Sequence, residues 1–295
     1  MDRRAFLVAG SLGLVSTSAW AAMRKIEPPH APVADPLHDA IARIEARSGG
    51  RLGVALHDTG TGHRFAYRGD ERFAMCSTFK LLLAGAVLAR VQQRAEHLDR
   101  QVPIRGSDVI GHAPFTAKRV GGTATVAELC RAMVVESDNG AANLMLAGID
   151  GPAALTKFLR RTGDTATRLD RNEPSLNEAT PGDPRDTTTP LAMLGSAERL
   201  WLGPVLAPPY RAQLTAWAIE CRTGLDRLRA GLPKGWRAGD KTGTGDRGTY
   251  NDVAISWPPR RGPVLVASYL TESKLETDAG NAVHAQVARA LMGMI

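Results

Sequence analysis

Residues 77–93 read STFKLLLAGAVLARVQQ, which begins with a hydroxyl and an amine and continues with nine apolar or glycine positions in a row. Such a run puts apolar side chains on nearly every face of a helix, which is typical of a buried central helix. Residues i and i+3 lie on one face of a helix. The run therefore predicts a central helix that presents Ser77 beside Lys80.

A serine beside a lysine is what an activated nucleophile needs. A serine hydroxyl reacts weakly until a neighbouring base takes its proton, and burial lowers the pKa of a lysine so that it can act as that base. The alternative is a helix whose Ser77 caps the first turn and whose Lys80 snorkels to water. A Ser-x-x-Lys spacing arises about once by chance in a chain of this length, so other motifs must distinguish the two.

The composition excludes several classes of protein. Of the 295 residues 43% are hydrophobic, enough for one large domain or two interleaved ones. The net charge of +7 is not gathered into a basic run with interleaved aromatic residues, so no nucleic-acid partner is expected. Cys76, Cys130 and Cys221 form no Cys-x-x-Cys or Cys/His cluster, so no metal site is expected, and their odd number leaves at least one unpaired.

The first 21 residues have the pattern of an export signal. Arg3 and Arg4 precede an apolar run too short to span a bilayer, and Ala19-Trp20-Ala21 is a small-x-small cleavage site. The paired arginines favour twin-arginine export, with the Sec route as the alternative. We therefore expect residues 1–21 to be removed and the rest to be periplasmic, without stable membrane association.

Apolar periodicity predicts strands towards both ends of the chain and helices between them. The expected strands are 51–58, 63–68, 238–244, 249–257 and 263–271. Besides 77–93, the expected helices are 35–48, 125–135, 139–149, 152–162, 187–202, 208–220 and 277–294. The simplest packing is an α/β plus all-α fold. It has a five-stranded antiparallel sheet flanked by the N- and C-terminal helices, an inserted all-helical lobe, and the active site in the cleft between them.

This packing predicts two domains after the signal. The discontinuous α/β sheet domain takes residues 22–68 and 220–295, and the all-helical domain takes residues 69–219. The helical domain includes a long polar loop, residues 163–190. Because a loop of that length in a compact domain is usually functional, we expect it to contribute to the site.

Three further motifs fall on the predicted cleft. Ser137-Asp138-Asn139 lies between two helices, and Lys241-Thr242-Gly243 lies on a strand. The long loop contains Arg171-Asn172-Glu173-Pro174-Ser175-Leu176-Asn177. Together with the Ser-x-x-Lys spacing, these motifs form one ordered signature.

The signature resembles the class A serine β-lactamases, within the wider group of penicillin-binding peptidases and serine β-lactamases. Glu173 with Asn177 four residues later distinguishes class A, and the resemblance covers essentially the whole mature chain. It implies a β-lactamase that hydrolyses the amide bond of penicillins and cephalosporins, acts without a cofactor and is a monomer by default. Carbapenem hydrolysis is left open.

The resemblance implies a role for each catalytic residue. Ser77 attacks the lactam carbonyl and becomes acylated, while Lys80 orients or deprotonates it. Glu173 activates the water that removes the acyl group, with Asn177 as a second support, and Ser137 relays a proton to the lactam nitrogen. Whether Lys80 or Glu173 starts acylation stays open.

Substrate contacts are implied in the same way. The backbone N–H groups of Ser77 and Thr244 would form the oxyanion hole, and Asn139 would bind the side-chain amide of the substrate. The strand residues expected to bind substrate, chiefly its carboxylate, are Lys241, Thr242, Gly243 and Thr244. The alternatives are that Asn139 caps a helix, Lys241 keeps an edge strand soluble and Glu173 is a solvated loop charge.

Some positions depart from common family patterns. Tyr250 stands where many members have a carboxylate-binding Arg, and we expect Arg227 to substitute for it. His112 stands where an aromatic residue usually lines the cleft mouth, so it is either a specificity residue or a surface histidine. In the family, Arg171 and Asp186 clamp the long loop by an ion pair.

The disulfides of some members are not expected. Cys130 would need a partner near Ala84, and Cys76 would need a cysteine at Gly245.

Two other functions would use the same nucleophile. One is a D-Ala-D-Ala peptidase of cell-wall synthesis, and the other is a sensor that binds β-lactams and stays acylated. A positioned base contributes about 10²–10⁴-fold to a reaction rate, so Glu173 favours the hydrolase.

Overall fold

The predicted five-stranded sheet is present and antiparallel throughout. A computed structural model describes residues 35–295, so the predicted export signal lies outside the described residues. The strands are β1 Arg51–Asp58, β2 Arg64–Tyr67, β3 Arg237–Gly245, β4 Thr249–Trp257 and β5 Val264–Thr271. Their order across the sheet is β2-β1-β5-β4-β3, so the N-terminal hairpin joins the C-terminal strands through the β1–β5 pair. The α/β plus all-α fold is confirmed.

Eight helices accompany the sheet in residues 35–295. They are α1 Pro36–Ser48, α2 Phe79–Gln92, α3 Val126–Val135, α4 Asn139–Gly148, α5 Pro152–Arg161, α6 Pro190–Trp201, α7 Pro208–Ile219 and α8 Thr277–Met292. Shorter 3-10 turns lie at Cys76–Thr78, Gly106–Asp108, Thr116–Arg119, Ser175–Asn177 and Leu228–Gly231. Two small ladders pair Phe73–Ala74 with Thr187–Thr188 and Gln101–Pro103 with Thr123–Thr125.

Two predicted helix starts are wrong by two or three residues. Ser77 lies in a 3-10 turn, and the central helix begins at Phe79. The helix predicted from residue 187 begins at Pro190, because the preceding residues pair as a strand and Thr189 caps the helix by accepting a hydrogen bond from the Ala192 N–H. The apolar periodicity of a short segment does not reveal whether its residues pair with a distant strand or which residue caps the helix.

The central helix has the environment that its sequence predicts. Every residue of α2 from Phe79 to Ala89 is buried. It belongs to an apolar cluster that joins helices α2–α7 to one face of the sheet, and a second cluster packs α1 and α8 on the other face. The division into domains 22–68 with 220–295 and 69–219 stays a prediction.

The helices of residues 35–295 are all too short or too polar to cross a bilayer.

A buried histidine ties α8 to the sheet. His284 is fully buried, with Nδ1 2.8 Å from the Ser268 hydroxyl and Nε2 3.1 Å from the Tyr250 carbonyl oxygen. Burial, with a smaller contribution from the Arg227 charge, lowers the pKa of His284 to about 3. The neutral ring therefore satisfies both contacts.

We expect His284 to make folding sensitive to acid. Its depressed pKa stabilises the native state fully above the unfolded value of about 6.5, and that contribution is lost as the pH falls from 6.5 towards 3. Between pH 7 and 5 the free energy of unfolding should fall by about 2 kcal/mol more in the wild type than in His284→Gln. Urea unfolding at both pH values measures this. The exposed His97→Gln control should retain the wild-type pH dependence, and an equal slope in His284→Gln would refute the assignment.

Candidate active site

The start of α2 places a serine against a buried lysine. Lys80 is fully buried, so the alternative that it snorkels to water is wrong. Its Nζ lies 2.9 Å from Ser77 Oγ. The turn before the helix is held by the Thr78 hydroxyl, which donates to the Met75 carbonyl at 2.8 Å. Cys76 in the same turn has φ 45°, a strained value for a side chain with a Cβ.

Lys80 has more acceptors than protons. Besides Ser77 Oγ, its Nζ lies 2.8 Å from the Ser137 carbonyl oxygen, 2.6 Å from Asn139 Oδ1 and 2.9 Å from Glu173 Oε1. Burial lowers the pKa of Lys80, and the charge of Glu173 opposes that shift. An ammonium has three protons, so four acceptors must share them. The arrangement is suited to moving a proton between Ser77, Lys80 and Glu173.

The Glu173 carboxylate is buried against Ser77. Its Oε1 accepts from the Ser77 hydroxyl at 3.4 Å, and its Oε2 accepts from Asn177 Nδ2 at 2.5 Å. Only 3% of the residue is exposed, so the interpretation as a solvated loop charge is wrong.

Asn143 positions Glu173 from the helical side, a contact that sequence reasoning missed. Its Oδ1 accepts from the Glu173 N–H at 3.0 Å, and its Nδ2 donates to the Glu173 carbonyl at 2.9 Å. Asn143 follows Asn139 by four residues, so both lie on one face of α4. The four-residue spacing between Asn139 and Asn143 is the sequence signal that points to Asn143 as a residue on the same helix face.

The predicted clamp of the long loop is confirmed. Arg171 Nε lies 2.6 Å from Asp186 Oδ2. The other oxygen of Asp186 accepts from the backbone N–H groups of Asp170 and Arg171 at 2.7 and 2.9 Å. One buried carboxylate therefore fixes both ends of the loop segment that carries Glu173.

Ser137 lies between two amines. Its Oγ is 3.5 Å from Lys80 Nζ and 3.1 Å from Lys241 Nζ. Its φ of 59° is in the left-handed region, which is uncommon for a residue other than glycine. Asp138, which follows, caps α4 by accepting from the Ala141 N–H at 2.8 Å. The alternative role of Asn139 as the cap is therefore wrong.

Lys241 is fully buried on β3, although β3 is an edge strand. Burial lowers its pKa to about 8, and the nearby charge of Lys80 adds to the effect. A lysine that kept an edge strand soluble would be exposed, so that alternative is wrong.

Strand β3 lies very close to the Cys76–Thr78 turn and to the long loop. A Cβ at Gly243 would be 2.6 Å from the Met75 carbonyl oxygen, and one at Gly245 would be 2.7 Å from the Asn177 carbonyl oxygen. Only glycine fits such contacts. They bring the backbones of Ser77 and Thr244 to the same cleft.

Arg227 is buried against strands β3 and β4. The residue is 4% exposed, and its guanidinium donates to the Gly243 and Asn251 carbonyls at 2.7 and 2.6 Å and to Thr244 Oγ1 at 2.6 Å. Burial lowers its pKa. Tyr250, opposite Thr244 in the β3–β4 register, turns its hydroxyl to the Leu275 carbonyl. Arg227 therefore lies next to Thr244, and its role in carboxylate binding stays a prediction.

The cleft is a cavity of about 240 Å³. It is lined by Ser77, His112, Ser137, Asn139, Asn177, Thr223, Arg227, Thr242 and Thr244. His112 is exposed, with Nε2 2.9 Å from the Glu136 carbonyl oxygen. Sequence reasoning missed Thr223, whose hydroxyl lies 2.5 Å from that of Thr242, because no local pattern distinguishes it from other threonines.

The three cysteines are buried and free. Within residues 35–295, no three His, Cys, Asp or Glu side chains are grouped so that they could hold a metal ion.

Comparison with known proteins gives a consistent result. A family described as "Beta-lactamase enzyme family" matches residues 36–295. β-Lactamase CTX-M-8 of Citrobacter amalonaticus is 46% identical over 256 residues, covering 87% of this chain and 88% of its own. β-Lactamase OXY-1 of Klebsiella oxytoca is 44% identical over 276 residues, which cover 94% of this chain and 91% of its own. Among solved structures, an ancestral class A β-lactamase is 58% identical with a TM-score of 0.87, covering 88% of this chain and all of its own.

The two contacts of Asn143 predict the effect of removing it. Asn143→Ala should lower the free energy of unfolding by about 2 kcal/mol, since two partly buried hydrogen bonds are lost, and amide hydrogens of residues 163–190 should exchange faster. Hydrogen exchange followed by mass spectrometry measures this. Arg185→Gln, which removes an exposed ion pair with Asp183 on the same loop, should leave exchange near Glu173 unchanged. Wild-type exchange in Asn143→Ala would mean that other contacts position the loop.

Proposed function

The chain belongs to the class A β-lactamase family and hydrolyses β-lactams, and on that premise we propose that the reaction passes through an acyl-enzyme on Ser77 that water held by Glu173 removes. One observation carries the proposal. Ser77 Oγ lies between two candidate bases, 2.9 Å from Lys80 Nζ and 3.4 Å from Glu173 Oε1.

Acylation begins with removal of the Ser77 proton. Lys80 can accept it after passing its own proton to Glu173 across 2.9 Å, or Glu173 can accept it directly. The lowered pKa of Lys80 supports the first route, and both routes end with Ser77 bonded to the lactam carbonyl carbon. The N–H groups of Ser77 and Thr244 hold the developing oxyanion, and loss of one such donor typically costs about 10²–10³ in rate.

Opening of the ring requires a proton on the lactam nitrogen. Ser137 Oγ can donate its own proton there and take a replacement from Lys80 or Lys241, which lie 3.5 and 3.1 Å away. The leaving nitrogen stays tethered to the acyl group, because both belong to the same opened ring.

Deacylation uses water as the nucleophile and Ser77 as the leaving group. Glu173 first returns the proton that it gained in acylation to Lys80, which replaces the proton that Ser137 gave up. The Glu173 carboxylate then takes a proton from a water molecule that Asn177 helps to hold, and the resulting hydroxide attacks the acyl carbon. The ester bond breaks, and the Ser77 oxygen takes that proton from Glu173. The burial of Glu173 and its contact with Asn177 at 2.5 Å support this role.

The substrate binds across β3. Its carboxylate meets Lys241 and the hydroxyls of Thr242 and Thr244, a charge-assisted contact with Arg227 behind it. The amide of its side chain meets Asn139, whose Oδ1 accepts from Lys80 and whose Nδ2 donates to the substrate. His112 at the cleft wall is proposed as a specificity residue. Penicillins and cephalosporins are the proposed substrates.

A D-Ala-D-Ala peptidase, or a sensor that binds β-lactams and stays acylated, would share the acylation step. A carboxylate buried within hydrogen-bond reach of the nucleophile favours the hydrolase over both. The export signal supports a periplasmic location, and a monomer is the proposed state.

Replacement of Glu173 should separate the two half-reactions. In Glu173→Gln, deacylation should slow by about 10²–10⁴-fold, because the base that activates water is lost. Mass spectrometry after addition of a penicillin should then find the acyl adduct on Ser77. Glu178→Gln, on the same loop but exposed and paired with Arg171, should turn over like the wild type, and Ser77→Ala should neither form the adduct nor turn over. Wild-type turnover by Glu173→Gln would refute the assigned role.

The pKa of Lys241 predicts the alkaline limb of the pH–rate profile. Because the pKa is lowered to about 8, Lys241 is cationic below that pH and loses its charge as the pH rises through it. We expect kcat/KM for a carboxylate-bearing substrate to fall above pH 8. Lys241→Arg should move this fall to higher pH, because a guanidinium keeps its proton. An unchanged limb in that variant would assign it to another group.

A further inference from the structure

A second cavity lies on the helical side of the molecule, between the C-terminal end of α2 and α5. Its volume is about 350 Å³, and none of the residues that line it lines the active-site cleft. It is formed by one face of each helix. Ala86 and Arg90 on α2, and Ala154, Phe158 and Arg161 on α5, follow the three- and four-residue spacing of such faces.

The inner surface of the cavity is apolar. Ala86 and Ala154 face it from the two helices, and Ala95, Ile149 and Phe158 add further apolar side chains. Ala86 and Ile149 are buried, and Phe158 packs against the main core. Because the facing residues are alanines, the space between the helices is left unfilled.

The rim of the cavity is cationic. Arg90, Lys157 and Arg161 line it with a single acid, Asp150. In residues 35–295, none of these four side chains takes part in an ion pair or a side-chain hydrogen bond. Arg90 Nε is buried and lacks a partner there.

Neighbouring carboxylates offset these cations only in part. Arg100, and to a smaller extent the charge of Arg90, lower the pKa of Glu96. Glu96, close to the end of α2, is already held by Arg100 through two hydrogen bonds of 2.7 Å. Lys157 and Arg161 are four residues apart on one helix face, where like charges repel. The buried Arg90 Nε adds the cost of an unsatisfied donor. A bound anion would reduce the repulsion between Lys157 and Arg161 and would accept a hydrogen bond from Arg90 Nε.

We propose that this cavity binds an organic phosphate monoester with a compact apolar group. Three cations against one acid leave an excess of two positive charges, which matches a phosphate monoester that is close to a dianion at neutral pH. Guanidinium groups bind phosphate through paired hydrogen bonds. The apolar group would occupy the space beside Ala86, Ala154 and Phe158.

Phenyl phosphate is a probe that carries both parts. In amide NMR titrations of the purified protein, we expect saturable shifts in residues 86–93 and 149–161. Phenyl phosphate should bind at least about tenfold more tightly than inorganic phosphate or phenol, which each carry only one part. Arg90→Gln should weaken binding by about tenfold, the effect of one charge-assisted contact.

Two further variants make the test specific. The exposed Lys157→Gln should also weaken binding, so the result does not depend on a substitution next to the core. Arg131→Gln removes a cation that is already paired with Glu220 on the surface, and it should bind phenyl phosphate like the wild type. Shifts confined to residues around Ser77 and Thr244 would overturn the proposal. So would wild-type affinity in Arg90→Gln, or inorganic phosphate that binds as tightly as phenyl phosphate.

Discussion

The buried ion pair between Lys80 and Glu173 is the constraint around which this molecule is arranged. Both side chains are fully buried, with 2.9 Å between Nζ and Oε1. Charges removed from water are strongly unfavourable unless they are paired and hydrogen-bonded. Three parts of the fold supply hydrogen-bond partners for this pair. The Ser77 turn and the loop at Ser137 supply oxygens for Lys80, and Asn177 supplies an amide for Glu173.

The same pair explains why the long loop is anchored so heavily. Glu173 would reach water if the loop moved outwards, and Lys80 would then be left buried without its counter-charge. The Arg171–Asp186 ion pair holds the loop from one side, and the two hydrogen bonds of Asn143 hold it from the other. The anchoring therefore maintains both the position of the base and the charge balance of the core.

Sequence alone identified the groups that are proposed to react but not most of those that hold them in place. Ser77 and Lys80 are three residues apart, so local helix geometry predicts their contact, and the alternating strands predict the sheet. Asn143 and Thr223 make contacts with Glu173 and Thr242, 30 and 19 residues away. No local period encodes such distances. Arg227 was expected only from a resemblance to relatives, and its burial beneath β3 gives that expectation a physical basis.

The two lysines of the site are coupled through their charges. Lys80 lowers the pKa of Lys241, and burial lowers both. At neutral pH Lys241 is already cationic, because its pKa is about 8. The two amines are on either side of the Ser137 hydroxyl, 3.5 and 3.1 Å from its oxygen, so their positive charges repel each other. In the proposed mechanism this repulsion adds to burial in favouring the neutral form of Lys80, which can take the Ser77 proton, while the charge of Glu173 opposes it. The charge that binds the substrate carboxylate therefore also helps to prepare the base.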